Sequence, residues 1–350
     1  MAIDPDRLNA TVSRMIADVA AAATGPLIVL GERLGLFRAL AAHGPLNSQE
    51  LAAKTGCHER YLREWLNTLV AAEYVQYDPA SARYSMSEEQ AACLADPDSP
   101  FAIAGGYYGI MALYHDEPKV EEAFRTGKGI GWGDHHSCLF CAAEKFFGPG
   151  YKANLVEHWL PQLDGVVDKL RSGARVADVG CGHALSTRLM ARAFPNAEFH
   201  GIDYHPPSIA HATELAASWG LTNIHFRTGG ASDFDGSYDL VTFFDCLHDM
   251  GDPTAIARHV RQRLAPGGTW MVVEPAAGDS VADNINPIAR AFYAFSTMVC
   301  VPVSLSQPGR VGLGAQAGPA KTIEVIKAGG FGDVRVVANS ATNFVLAARV

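Results

Sequence analysis

Arg175–Val179 (RVADV) reads as a short buried strand that runs straight into Gly180-Cys181-Gly182-His183-Ala184, with helical spacing beginning at Leu185. Glycines between a strand and a helix let the backbone turn tightly and approach a ligand closely, at the positive end of the helix. A second strand, Glu198–Ile202, ends in Asp203, 21 positions after Gly182. A carboxylate there can accept hydrogen bonds from both hydroxyls of a ribose. This order confines the segment to a βαβ unit of a parallel sheet and points to an adenosine-containing cofactor. A dinucleotide fold would place a third glycine three positions after the second, but Leu185 stands there.

From Arg175 onward strands alternate with helices, whereas the residues before 100 read as short helices and a hairpin. At 350 residues and 48% hydrophobic content, the chain has material for two domains and is not predominantly disordered. Leu8, Val12, Met15, Ile16 and Val19 share one face of a first helix, expected to pack on another subunit or on the second domain. Asp18 and Gly25-Pro26 interrupt the apolar stretch from Met15, which leaves it short of a bilayer. Further helices are expected over Pro26–Ala41, from the cap Asn47 through Lys54, and over Glu59–Ala72. Two β-prone runs follow, Tyr74–Tyr77 and Arg83–Met86. That order is the outline of a winged helix.

A winged helix raises DNA binding, and charge argues against it. Residues 1–100 hold 8 Lys+Arg against 13 Asp+Glu, and in His58–Glu64 each arginine is matched by a glutamate. Affinity for DNA rests on neutralising several phosphates. The whole chain carries a net charge of −9, so no nucleic-acid or membrane partner is expected. Asp4 and Asp6 stand where a signal peptide would carry lysines. Seven cysteines, an odd number, fit reduced thiols. A soluble cytoplasmic protein is expected.

The segment Asp178-x-Gly180-x-Gly182-x-Ala184 resembles motif I of the class I S-adenosylmethionine (SAM)-dependent methyltransferases. The resemblance spans residues 150–350: Tyr238-Asp239-Leu240-Val241 opens the fourth strand, Leu264-Ala265-Pro266-Gly267-Gly268 precedes the fifth, and Asn343–Ala348 matches the antiparallel last strand. With the winged helix in front, the chain is similar to two-domain small-molecule O-methyltransferases and closer to an actinobacterial group of the same layout. The resemblance implies a Rossmann-like, mostly parallel seven-stranded α/β sheet behind a helical winged-helix domain. It implies SAM as cofactor, S-adenosylhomocysteine (SAH) as product, and a homodimer formed through the N-terminal domain. Expected cofactor contacts are Asp178, Gly180, Cys181, Gly182, Asp203, Tyr204, Ala231, Asp233 and Asp245. Gly229-Gly230-Ala231 replaces the family's usual acid, so the adenine contact shifts to backbone groups or Asp233, which could equally be a surface-loop residue.

Methyl transfer requires an aligned nucleophile and, for a hydroxyl, a proton acceptor. His248-Asp249, beyond the fourth strand, matches the family's His-Asp pair, which implies His248 as general base; an imidazole suits that task at neutral pH. Glu274 ends the fifth strand and could orient a substrate, help a base or cap the sheet's end. The segment 127–150 carries Trp132, Asp134, His135, His136, Cys138 and Cys141. The two histidines and two cysteines are eligible metal ligands, yet structural zinc normally shows two ligand pairs. Lining of a substrate pocket by Trp132, His135 and His136 is the preferred role. Phe292, Tyr293, Phe295 and Met298 fall on a helix of an insertion, about 283–318, expected to roof the pocket; with Tyr107, Tyr108 and Trp132 they would line an apolar cavity.

The expected organisation is a winged-helix domain at 1–100, a middle segment at 101–150, and a methyltransferase domain at 151–350. The expected activity is methyl transfer to a small, fairly apolar molecule at a hydroxyl oxygen. Two rivals are non-methyl chemistry on the same fold, such as hydrolysis or dehalogenation with or without a metal, and a winged-helix ligand sensor.

Overall fold

The structure, a computed structural model, describes residues 3–350. The chain forms two compact units, one comprising residues up to Met111 with Cys141–Pro149, the other Ala112–Phe140 with Gly150–Val350. The segment 101–150 is thus shared between the units rather than forming a body of its own.

In the first unit, α1 (Pro5–Arg33), α2 (Leu36–His43), α3 (Ser48–Thr55) and α4 (Glu59–Ala71) precede the hairpin β1 (Gln76–Asp78) and β2 (Arg83–Ser85), then α5 (Glu88–Leu94). Asn47 and Glu50 close a reciprocal capping box on α3, and Gly56 ends it in the left-handed region. Phe37, Leu40, Leu51, Leu62, Trp65, Leu66 and Leu69 form its core. The expected break at Gly25-Pro26 does not occur, and α1 runs through both residues. A Cβ on Gly25 would come within 3.1 Å of the Tyr107 ring, so glycine there lets the aromatic ring lie close against the helix. By length and composition α1 and the stretch 287–306 are each sufficient to cross a membrane. On α4, Arg60 pairs with Glu64 at 2.7 Å and Arg63 with Glu59 at 2.6 Å, which offsets the charge of the helix that would meet DNA.

Two helices carry the chain between the units, α6 (Gly106–Thr126) and α7 (Cys138–Asn154). Sequence spacing predicts a long helix over Ala153–Lys169, bent or interrupted at Pro161; the interruption extends further, as α7 ends at Asn154, a π turn spans Leu155–Trp159, a 3-10 turn spans Leu160–Gln162, and α8 covers Val166–Ser172. Pro161 cannot donate to an interior helix ladder, and Gly165 adopts positive φ.

The second unit is built on seven strands. In chain order they are β3 (Arg175–Val179), α9 (Leu185–Ala193), β4 (Glu198–Asp203), α10 (Pro206–Ser218), β5 (Ile224–Thr228), β6 (Tyr238–Phe244), α11 (Pro253–Arg263) and β7 (Leu264–Pro275). They continue with α12 (Pro287–Phe295), α13 (Val301–Ser306), α14 (Gly318–Ala328), β8 (Asp333–Asn339) and β9 (Asn343–Arg349). The sheet order is β5-β4-β3-β6-β7-β9-β8, and β9 alone runs against its neighbours. Strand order reverses between β3 and β6, and ligands of such sheets sit at the carboxyl edge of that switch point. Phe243 packs edge to face on Trp270, and Phe331 lies tilted against Trp270, in the core beneath it.

Candidate active site

Gly180 and Gly182 both adopt positive φ, +73° and +53°. A Cβ on Gly180 would meet Cys246 Sγ at 2.8 Å, whereas one on Gly182 would meet nothing within 4 Å. Gly180 is therefore required by packing, while Gly182 fronts open space. Asp203 pins this loop, its carboxylate accepting from the amides of Gly182 at 2.9 Å and His205 at 2.8 Å. Each of those oxygens retains a further lone pair for a ribose hydroxyl. Burial raises the Asp203 carboxyl above its ordinary range, against the two amides.

Asp178 lies under the loop rather than in it. Its buried carboxylate accepts from Thr187 at 2.5 Å, Ser186 at 2.8 Å and Thr242 at 3.0 Å, tying the first turn of α9 to β3 and β6. Burial pushes its pKa up to about 6 against those bonds. Cys181 is buried, with its thiol pushed up by burial. Ala231 packs on the sheet core, while Asp233 is exposed. Asp245, at φ +50°, bonds the Tyr151 hydroxyl and Asn343 Nδ2, the latter at 2.8 Å.

His248 sits on a 3-10 turn, Leu247–Asp249, immediately beyond β6, and is 3% exposed. Glu274, near the end of the neighbouring β7, holds it with both oxygens. One accepts from the Leu247 amide at 3.0 Å and the other lies 2.5 Å from His248 Nδ1. The orienting carboxylate is thus Glu274, while Asp249 Oδ1 stands 3.2 Å from the opposite nitrogen, Nε2. Burial opposes charge on His248, but the Glu274 and Asp249 carboxylates outweigh it and raise the imidazole pKa well above its ordinary value. Cys300, beside α13, lies against the same pair, and burial pushes its thiol up to about 12.

The segment 129–140 is anchored near this edge. Ile130 donates to Pro302 at 3.0 Å. Leu139 packs on Val299 and Val303, with Trp132 and Cys138 beside them. Phe140 stacks on His205 at 4.7 Å, and the Tyr204 hydroxyl interacts with the Trp132 backbone. His135 is buried, its Nδ1 3.0 Å from Asp116 Oδ2, and Asp116 also accepts from the His136 amide and Lys119. His136 lies against His115 with ring centroids 4.2 Å apart, and its Nδ1 accepts from the Cys138 amide at 3.3 Å. Among the described residues, neither Cys138 nor Cys141 joins a cluster of three metal-ligand side chains, and Cys141 belongs to the first unit. Tyr107 and Tyr108 also belong to that unit, hydrogen bonded to Tyr74 and Glu32. Tyr293 accepts from Asn284 at 3.4 Å.

Asp116, Tyr151 and Cys300 each touch a candidate site residue, yet no sequence motif marks them. The bonds that tie Asp116 of α6 to the 129–140 segment have no local signal, because they reach His135 and the His136 amide, 19 and 20 positions away.

Residues 22–96 match the Rv2258c-like winged HTH domain, and residues 170–302 match a methyltransferase domain. The chain is a two-domain class I methyltransferase in fold. Human N-acetylserotonin methyltransferase, solved with SAM, superposes with a TM-score of 0.67 at 19% identity, covering 97% of each chain. Mitomycin 7-O-methyltransferase superposes with a TM-score of 0.65 at 19% identity, covering 99% of this chain and 100% of that one. The ubiquinone biosynthesis O-methyltransferase of Xanthomonas oryzae is 36% identical over 112 residues, 31% of this chain and 46% of the relative. The chain spans less than half the length of that relative.

Proposed function

We propose that this methyltransferase moves the methyl group of SAM to a hydroxyl oxygen of a small, fairly apolar molecule, releasing SAH. The observation that carries this reading is the Glu274-held His248 at the same sheet edge as the Gly180–Gly182 loop and Asp203. SAM supplies an electrophilic methyl on a sulfonium.

The chain's own residues do the rest. The loop amides and the N-terminus of α9 border the cofactor space, and Asp203 receives the ribose hydroxyls. Glu274 accepts from His248 Nδ1, which leaves Nε2 to take the acceptor's proton as its oxygen forms the new bond to carbon. A cationic sulfonium nearby favours the neutral, proton-accepting ring over the imidazolium. Trp132, His135 and Tyr293 are assigned to the acceptor pocket.

We also propose a homodimer through α1, whose Leu8, Val12, Met15, Ile16 and Val19 are between 44% and 68% exposed along one stripe. The function is tested by incubating the protein with methyl-labelled SAM and a panel of phenolic and alcoholic acceptors. Labelled ether products, with turnover lost but SAM binding kept in His248→Ala, are expected. SAM binding with transfer only to nitrogen or carbon acceptors would overturn the hydroxyl assignment.

A further inference from the structure

Two histidines of the second unit share one arrangement. Glu274 takes Nδ1 of His248 at 2.5 Å, and Asp116 takes Nδ1 of His135 at 3.0 Å. In both rings this leaves Nε2 for something else, and a carboxylate on one nitrogen is how a metal-bound imidazole is characteristically oriented. The His135 Nε2 atom is buried without a hydrogen-bond partner, and so is Asp249 Oδ1. Asp249 Oδ1 lies only 3.2 Å from His248 Nε2, yet the two form no hydrogen bond. Two ligand atoms each ~2.0–2.1 Å from a tetrahedral zinc lie roughly 3.3 Å apart. Cys300 completes the group, the three ligand atoms lying within 4.8 Å of one another.

We propose that His248 Nε2, Asp249 Oδ1 and Cys300 Sγ form a binding site for a borderline-soft divalent cation, best matched by zinc(II). Imidazole, carboxylate and thiolate suit zinc, whereas magnesium and calcium prefer oxygen-only sets. The fourth position goes to water. His135 lies outside the group of three, held on Asp116 through its Nδ1 at 3.0 Å.

Binding releases the Cys300 proton to solvent and uses the His248 Nε2 lone pair, so no oxidant or reductant is involved. That lone pair is also the proton acceptor of the proposed reaction, on which this consequence rests. Zinc at the site therefore switches methyl transfer off.

The test is calorimetric titration of zinc chloride into the chelator-treated full-length protein, with SAM binding measured on the same samples. One equivalent is expected to bind. Cys300→Ser and Asp249→Asn should each weaken binding at least about tenfold, and Cys141→Ser not at all. Cobalt(II) added to the wild-type protein should give a thiolate-to-metal absorption, a readout taken without any variant and so independent of how the variants fold. Sub-stoichiometric zinc binding, equal affinity in Cys300→Ser, or no thiolate band would overturn the proposal. Failure to bind zinc with SAM binding intact refutes this inference alone. Failure to bind SAM refutes the functional reading and leaves the metal result standing.

Discussion

His248 Nδ1 lies 2.5 Å from Glu274 Oε2, although the two residues are 26 positions apart and stand on neighbouring strand ends. The second Glu274 oxygen takes the Leu247 amide, so one carboxylate fixes both the ring and the turn that carries it. Glu274→Gln is expected to keep SAM affinity while lowering kcat by ~10²–10⁴, because an amide can donate to Nδ1 and select the wrong tautomer. The check is SAH release with an acceptor the protein turns over, alongside a SAM titration.

The two loop glycines should fail in different ways. Gly180→Ala drives a methyl to 2.8 Å from Cys246 Sγ at φ +73°, with an expected cost of ~1–3 kcal/mol in urea unfolding. Gly182→Ala meets no neighbour, so it should cost about 1 kcal/mol of backbone strain. Its larger effect should be weaker SAM binding, since the added methyl enters the space proposed for the cofactor.

Asp178 gives stability a pH signature. Burial holds its folded pKa at about 6, while an unfolded aspartate titrates near ~3.9. Between those values the folded state keeps a proton that the unfolded state loses. The contribution is fully present below about pH 4 and is lost as pH rises through 6. Two pKa units correspond to about 3 kcal/mol. Urea unfolding of wild type against Asp178→Asn at pH 4 and pH 7 should show the difference moving against wild type by up to that amount.

The exposed stripe of α1 should show in solution mass. Ile16→Glu with Val19→Glu, both more than half exposed, is expected to convert a dimer to a monomer without changing the thermal melting of the first unit. Light scattering after size exclusion reads the result, and a monomeric wild type would contradict the α1 interface.

Much of the site was legible because its signals are local. The strand-loop-helix run from Arg175, the acid at Asp203 and the placement of His248 beyond β6 all lie within short windows. Glu274 was visible as a strand end, but its partner was not, since register between β6 and β7 decides which side chains meet. Asp116 and Cys300 were hidden for the same reason. The continuity of α1 through Gly25-Pro26 was misjudged because the local chemistry there favours a break. The Trp132–Cys141 segment reads as pocket lining, with a Cys–His metal site as the lesser alternative; the structure places His135 on Asp116, a partner that spacing within the segment does not reveal.

The most direct test of the account is calorimetric titration of SAM into the purified protein, repeated on Asp203→Ala. One equivalent is expected to bind with micromolar-range affinity, weakened about tenfold or more in the variant. Absence of SAM binding by the folded wild-type protein would contradict the central claim.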